Sequence, residues 1–509
     1  MSPMPEIKPA DKYNEALLAS VHPPDWENPE PAPRYNLVVI GAGTAGLVSA
    51  AGAAGLGAKV ALVERGLLGG DCLNFGCVPS KAMIRSSRAL ADVHTAGRFG
   101  VKVPEGTQVD FPGVMARLRR LRAQISRHDS AKRFRDELGV DVFLGEARFT
   151  GPKTLDVAGQ TLRFRKAVIA TGGRPVVPSI PGLADAGFLT NETVFSLTER
   201  PERLLIIGAG PIGCEFAQAF QRLGCRVSLL HRHPLIMNRE DADASELVQK
   251  IFGREGINLL LDAKPLQVAR TGTGKLIRFE SRGAPGELEV DEILVGAGRA
   301  PNVENLDLEA AGVKFEAGRG RGVLVNDRLQ TSQSHIYAAG DVCLPYQFTH
   351  LADASARIVI QNALFWGRQK FSALTIPWCT YTDPEVAHVG LNEAEAQKQG
   401  IAVRTFIKPL AEVDRAIVDG EEEGFIKIQV KAGTDKILGA TIVARHAGEM
   451  IGEVSTAMAG GVGLGRLASV IHPYPTQAEA IRATGDLYRR TRLTPGVKRL
   501  LARYFAWRR

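Results

Sequence analysis

Asn36-Leu37-Val38-Val39-Ile40-Gly41-Ala42-Gly43-Thr44-Ala45-Gly46 is the stretch from which the fold of this chain is read. Its apolar start has the length and branching of a buried parallel strand. Gly41, Gly43 and Gly46 follow, then an Ala-rich helical stretch, then a second strand, Lys59-Val60-Ala61-Leu62-Val63, ending at Glu64. Glycines so placed permit a tight turn and close approach of a pyrophosphate to a helix N-terminus. The acid closing the second strand accepts from a ribose hydroxyl. A lone glycine loop would be weak evidence, but strand, loop, helix, strand and acid in this order are strong.

The pattern recurs without a gap. Leu204-Leu205-Ile206-Ile207 runs into Gly208, Gly210 and Gly213, a helix, and the strand Arg226-Val227-Ser228-Leu229-Leu230. Leu56-Gly57 falls on Leu223-Gly224, and Glu64 falls on His231, followed by Arg232. The second copy therefore has no carboxylate for a free 2′-hydroxyl, and Arg232 and Arg239 offer cations where a 2′-phosphate would sit. The first copy is read as an FAD site and the second as an NADPH site, with NADH as the alternative nucleotide. A solvated loop is the bland reading of the two arginines.

Between the two copies lies Gly69-Gly70-Asp71-Cys72-Leu73-Asn74-Phe75-Gly76-Cys77-Val78-Pro79-Ser80-Lys81. Two cysteines beside one nucleotide site, with a second site in reserve, suggest an electron relay and hence an enzyme. Only a thiolate is nucleophilic, and a helix N-terminus with a nearby cation lowers a thiol pKa. Lys81, four residues beyond Cys77, shares a face with it if that stretch is helical.

With 509 residues, 45% of them apolar, the chain can bury several cores. No apolar run approaches the roughly 20 residues of a membrane-spanning helix. Residues 1–34 are rich in Pro and charge and are expected to form an extended arm rather than a targeting segment. Six cysteines in such a length are no secreted disulfide framework, so a cytoplasmic location is expected. The net charge of +8 belongs to one end: residues 487–509 hold eight Lys/Arg and no acid, leaving 55 basic against 55 acidic residues elsewhere. A neutral body argues against a nucleic-acid groove.

The Cys-x4-Cys followed by Val-Pro-Ser-Lys, between two glycine loops, resembles the flavin-dependent pyridine nucleotide–disulfide oxidoreductases over about residues 35–488. Further matches are Ala170-Thr171-Gly172-Gly173, Gly296-Ala297-Gly298-Arg299-Ala300-Pro301-Asn302 and Ala338-Ala339-Gly340-Asp341-Val342. Thr382-Asp383-Pro384-Glu385-Val386-Ala387 resembles the opening of the family's interface domain. The resemblance implies an α/β fold with two Rossmann-like domains and an α+β dimerisation domain. The expected boundaries are an arm at 1–34, an FAD domain at 35–188 continued at 314–375, an NAD(P)H domain at 189–313, an interface domain at 376–488 and a basic tail at 489–509. It implies a homodimer, with Cys77 against the flavin, Cys72 facing the acceptor, and Glu215 pairing with Lys81. Thr171, Gly172 and Asp341 are expected at the flavin and Gly298 at a nucleotide. No metal ligand set is expected.

One motif departs from the plain disulfide reductases. In His472-Pro473-Tyr474-Pro475-Thr476-Gln477-Ala478-Glu479, Tyr474 stands where glutathione and lipoamide enzymes carry the His that pairs with a Glu, here retained as Glu479. Dithiol–disulfide exchange moves protons. A His near pKa 6.5 shuttles them, whereas a Tyr near 10 does so poorly. Thiolate-bound soft metal ions need no shuttle, and the mercuric reductases of the family carry Tyr here. Those enzymes also have an adjacent C-terminal cysteine pair, and many have an N-terminal Cys-x-x-Cys domain. The cysteines of this sequence run only from Cys72 to Cys379. His472 is read chiefly as structural, with a role as base the sharper alternative.

The expected acceptor is a small disulfide or a thiol-bound metal ion such as Hg(II). A dihydrolipoamide-dehydrogenase-like reductase or a flavoprotein quinone reductase or transhydrogenase are the alternatives. Val114, Leu118, Leu121 and Ile125 recur at helical spacing with Arg117, Arg119, Arg120 and Arg122 between them, so a helix with a solvated basic face is expected. Residues 487–509 read as a basic amphipathic helix that packs on its own dimer or frays, weak contact with a membrane surface being the other reading.

Overall fold

The computed structural model describes residues 7–509. Strand Tyr35–Ile40 lies between parallel strands Val60–Glu64 and Gln160–Ile169, with Asp141–Leu144 beyond the former. Ile336–Ala338 pairs parallel with Gln160–Ile169, so a segment from far along the chain completes this first sheet. Continuous apolar runs form these strands because both faces of a parallel sheet are covered.

The second glycine loop builds the same unit. Arg203–Ile207 lies between parallel strands Arg226–Leu230 and Glu292–Val295. Leu37 is in register with Val60, and Leu204 with Val227, the very positions that the gapless overlay equates. Between them in sequence, Ala263–Arg270, Lys275–Ser281 and Ala284–Val290 form an antiparallel meander.

The chain divides into two compact units. One runs to Arg232 and resumes from Asp262 to Ala373, and the other comprises His233–Leu261 and Leu374–Arg509. Both nucleotide folds share the first unit, and residues 233–261 pack with the second. Buried polar contacts account for the latter: Lys427 Nζ lies 3.4 Å from Asp241, and Thr441 Oγ1 donates to Asp241 at 2.8 Å. The second unit is built on an antiparallel sheet in the order Pro377–Thr380, Glu385–Gly390, Ile437–Ala444, Phe425–Lys431, Val403–Pro409. Ile426, Ile428, Ile442, Val454 and Ile481 are in its core.

Two expectations are corrected here. Residues 7–34 are not simply extended: Lys12–Val21 is a helix, N-capped by the Asp11 carboxylate, which accepts from the amides of Tyr13 and Asn14. It buries Asn14, Leu17 and Val21, a helical spacing that the Pro-rich flanks obscure. The helix in the 114–138 region spans Phe111–Ile125, and its basic face is only partly solvated: Arg120 is exposed, but Arg119 and Arg122 are buried. Arg119 Nε donates to Asp11 at 2.6 Å. Arg122 donates to Asn14 Oδ1 at 2.6 Å and to the Asn74 carbonyl at 2.7 Å. The N-terminal helix supplies the partners that make this burial affordable.

Candidate active site

Both glycine cradles are closed to side chains. At Gly41 (φ +98°) an added Cβ would lie 2.4 Å from the Ala170 carbonyl oxygen, and at Gly46 it would lie 1.8 Å from that of Gly41. Gly208 (φ +108°) and Gly213 repeat this against Gly296 and Gly208. Helices Thr44–Gly55 and Pro211–Arg222 begin directly after Gly43 and Gly210, presenting their free amides at the loops. A cleft beside the first loop is lined by Gly41, Glu64, Thr171 and Asn302 among others. Thr171 Oγ1 donates to the Asn302 carbonyl at 2.6 Å, and the Asn302 amide nitrogen reaches the Gly172 carbonyl at 2.9 Å. This donor-lined, Cβ-free cradle fits a dinucleotide.

The acid and its counterpart do the same local work. Glu64 accepts from the Ala42 amide at 2.6 Å and from that of Gly66 at 2.8 Å, while burial pushes its pKa up. His231 Nδ1 accepts from the Ala209 amide at 3.2 Å. Arg232 is exposed just beyond, whereas Arg239, also exposed, falls in the other unit.

The cysteines lie on successive helices. Gly70–Asn74 carries Cys72, and Cys77 is the first residue of Cys77–Thr95, where the helix dipole favours a thiolate. Left-handed Gly69 (φ +86°) and Gly70 (φ +56°) make the turn into the first, and an added Cβ at Gly70 would meet Gly43 Cα at 2.6 Å. The cysteine loop is thus pressed onto the first glycine loop. Cys77 Sγ is 3.3 Å from Thr349 Oγ1, and Lys81 Nζ is 2.7 Å from Glu215 Oε2.

The two thiols are driven apart electrostatically. A hydrogen bond from Cys72, aided by Thr349 and the charge of Lys81, brings Cys77 down to about 6 against the opposing effect of burial. Cys72, as the donor in that bond and by its own burial, is pushed well above the ordinary thiol range. Helix dipole, hydrogen bond and cation all favour the thiolate form at Cys77, and the proton at Cys72.

Behind Cys72, Asp71 is held by Arg299 at 2.9 Å and by the Asn191 side-chain amide at 2.9 Å. Asp341 lies 3.9 Å from Arg299, and burial pushes its pKa up to about 6. Cys72, Cys77, Lys81, Glu215, Asp341 and the first glycine loop all fall in one unit.

The other unit holds the departing motif. Tyr474, 71% exposed, donates to Asp414 at 2.9 Å, which pushes its pKa up. Glu479 pairs with Arg482 at 2.8 Å. His472 Nε2 meets Glu453 at 3.0 Å. Thr349, Asp71, Asn191 and Asp414 were not foreseen. Of these, only Asp71 carried a local signal, standing next to Cys72 within the quoted motif.

Residues 35–359 match the sequence profile of the pyridine nucleotide-disulphide oxidoreductases, and residues 376–484 match that family's dimerisation domain. The chain belongs to this family. A mercuric reductase of Staphylococcus aureus is 36% identical over 481 residues, covering 93% of this chain and 87% of that one. A dihydrolipoyl dehydrogenase of Mycoplasma pneumoniae is 33% identical over 452 residues, 88% of this chain and 97% of that one. The solved structure of the HOCl-induced flavoprotein disulfide reductase RclA from Escherichia coli superposes with a TM-score of 0.79 at 28% identity, covering 89% of this chain and all of that one. As a pyridine nucleotide–disulphide oxidoreductase the chain is an FAD-dependent enzyme that uses NAD(P)H, and its dimerisation domain supports a homodimer. Among the described residues no helix is long and apolar enough to cross a membrane, and no cluster of His, Cys, Asp and Glu could hold a metal ion.

Proposed function

We propose that this enzyme uses NADPH to open a Cys72–Cys77 disulfide and passes the electron pair to a thiol-bound soft metal ion of the Hg(II) type. The observation that carries the dithiol reading is the split between a thiolate Cys77 and a thiol Cys72 beside Lys81–Glu215. Bound FAD would supply acceptance of a hydride from the nicotinamide and two-electron delivery to sulfur. Gly41, Gly43, Gly46, Glu64, Thr171, Gly172 and Asp341 would hold it. Gly208, Gly210, Gly213, Gly298 and Arg232 would hold NADPH, Arg232 at its 2′-phosphate.

Once reduced, the Cys72 and Cys77 sulfurs displace two carrier thiolates from the metal ion, Cys72 giving up its proton to water. Closing the S–S bond then leaves two electrons on Hg(II), giving Hg(0) and the starting disulfide. The acceptor itself takes no proton. That suits Tyr474, whose bond to Asp414 keeps its phenol protonated. Two relatives named mercuric reductase support the same reading. A reducing compartment such as the cytoplasm would preserve these thiols.

A second reading, reduction of a small disulfide, draws on one observation. His472 and Glu453 form a His–carboxylate pair 3.0 Å apart, two residues from Tyr474, of the type that moves protons in disulfide exchange. Anaerobic reduction with NADPH, followed by Hg(II)–thiol complexes, lipoamide, glutathione disulfide and quinones in turn, separates the two. Metal turnover lost in Cys72→Ser supports the first reading. Quinone activity alone, unaffected by that change, would overturn both.

A further inference from the structure

Helix Pro495–Trp507 buries none of its own residues. Its start is locally encoded, since the Thr494 side chain caps it by accepting from the Val497 amide and Pro495 occupies the first turn. At about 100° per residue, Val497, Leu500, Leu501, Tyr504, Phe505 and Trp507 fall within an arc of about 160°. Lys498 and Arg503 border that arc and Arg499 lies behind it, while Arg508 at the C-cap donates to the Tyr504 hydroxyl at 3.0 Å. The apolar arc is open, with Leu500 67%, Phe505 58% and Trp507 81% exposed. Its aromatic side chains touch one another, Tyr504 lying 5.4 Å from Phe505 and 6.4 Å from Trp507 between ring centroids.

Charge decides what covers this face. Residues 487–509 carry eight Lys/Arg without an acid, while the remaining sequence balances 55 basic against 55 acidic residues. A second copy offers this segment no net opposite charge, and two such helices repel each other. An anionic bilayer supplies both requirements at once, phosphates for the cations and an acyl boundary for the apolar arc. At 1.5 Å per residue a 13-residue helix reaches only about 20 Å, well short of a hydrocarbon core of roughly 30 Å. It therefore lies in the interface instead of spanning it.

We propose that residues 494–509 are a peripheral anchor that seats the enzyme on anionic lipid. Leu500, Tyr504 and Trp507 enter the headgroup–acyl boundary, and Arg499 and Arg503 extend along the helix flanks to lipid phosphates. The anchor is reversible and salt-sensitive, because its electrostatic part is screened within a Debye length.

The test is sedimentation of the full-length flavin-loaded enzyme with vesicles containing about one-third phosphatidylglycerol in phosphatidylcholine, and with phosphatidylcholine alone. The wild type is expected to pellet with the anionic vesicles only, its bound-to-free ratio falling about tenfold or more between low salt and roughly 0.5 M salt. Leu500→Glu/Trp507→Glu and Arg499→Glu/Arg503→Glu are each expected to stay in the supernatant while NADPH reduces their flavin at the wild-type rate. Equal pelleting on both lipids, or pelleting of both variants like the wild type, would overturn the proposal. So would a vesicle-free wild type that forms a larger oligomer than Leu500→Glu/Trp507→Glu, since the helix would then be covered by a second copy. None of these readouts depends on which acceptor the enzyme reduces.

Discussion

His231 stands in the second nucleotide fold where Glu64 stands in the first, and each accepts the backbone amide of the alanine inside its own glycine loop, at 3.2 and 2.6 Å. The imidazole thus keeps the structural half of the acid's job and gives up the negative charge. A 2′-phosphate is repelled by a carboxylate at this position, and a free 2′-hydroxyl is served by one. His231→Glu is expected to move the NADH/NADPH ratio of kcat/KM toward NADH by about tenfold or more, roughly 1.4 kcal/mol. Steady-state rates with both nucleotides measure it. An unmoved ratio would confine His231 to holding the loop.

Cys77 is brought to about 6 first by the Cys72 hydrogen bond and then, with Thr349, by the charge of Lys81. A lowered thiol pKa means a thiolate above that pH and a thiol below it, so nucleophilicity is lost as the pH falls through about 6. Lys81→Met removes the cation and leaves the Glu215 carboxylate facing the sulfur, and both changes raise the Cys77 pKa. Titration of thiolate ultraviolet absorbance in the reduced enzyme should show a step near pH 6 that moves up by about a unit or more in the variant. A step that stays in place would show that Lys81 has no hold on the thiolate.

Tyr474 donates to Asp414 and is thereby kept protonated. Tyr474→His supplies a group that titrates near neutrality, so turnover of lipoamide or glutathione disulfide is expected to rise and Hg(II)–thiol turnover to fall, each by about tenfold. Measuring both acceptors in one preparation gives the preference directly. If the preference does not change, the residue at this position does not choose the acceptor.

Arg122 joins the N-terminal helix to the cysteine loop by its bonds to Asn14 and to the Asn74 carbonyl. Burial brings its pKa down to about 10, still fully charged at neutral pH. Arg122→Leu would leave both buried acceptors unpaired, at a cost of about 3 kcal/mol or more. Denaturant unfolding should show that loss, while Arg120→Leu, at an exposed position of the same helix, should change stability by less than about 0.5 kcal/mol.

Glu240 is raised to about 7 by burial, opposed by the Trp378 indole N–H that it accepts at 2.7 Å. Its other carboxylate oxygen is buried without a partner. A carboxyl raised in the folded state binds more protons there than when unfolded, so stability falls as pH climbs from about 4.5 to about 7 and stays low above. The whole loss is at most about 3 kcal/mol. Glu240→Gln keeps an acceptor for Trp378 and removes the charge. The variant should gain stability over the wild type at pH 8 and match it near pH 4, as read by thermal unfolding across that range.

The glycine loops were legible because their demand is local: a positive φ and a missing Cβ can be met by one residue type, and the interval to the next strand is set by one helix. The Lys81–Glu215 pair was legible through motif resemblance alone, since 134 positions separate the partners. Thr349 beside Cys77 lies 272 positions away and carries no motif. The buried Arg119 and Arg122 were misread for a related reason. Helical spacing places an arginine on a face, but only the Asp11 and Asn14 partners, some hundred residues earlier, make burying it tolerable.

The sequence by itself determined that two like-built nucleotide folds flank a cysteine pair, because backbone sterics and strand burial are written in neighbouring residues. Tertiary structure alone decided that Thr349 sits beside Cys77, that Tyr474 donates to Asp414, and that Arg122 is buried against Asn14. Those outcomes depend on distances of a few ångströms between groups far apart in the chain. Charge, hydrogen bonding and desolvation change steeply over such distances, whereas local spacing is blind to them.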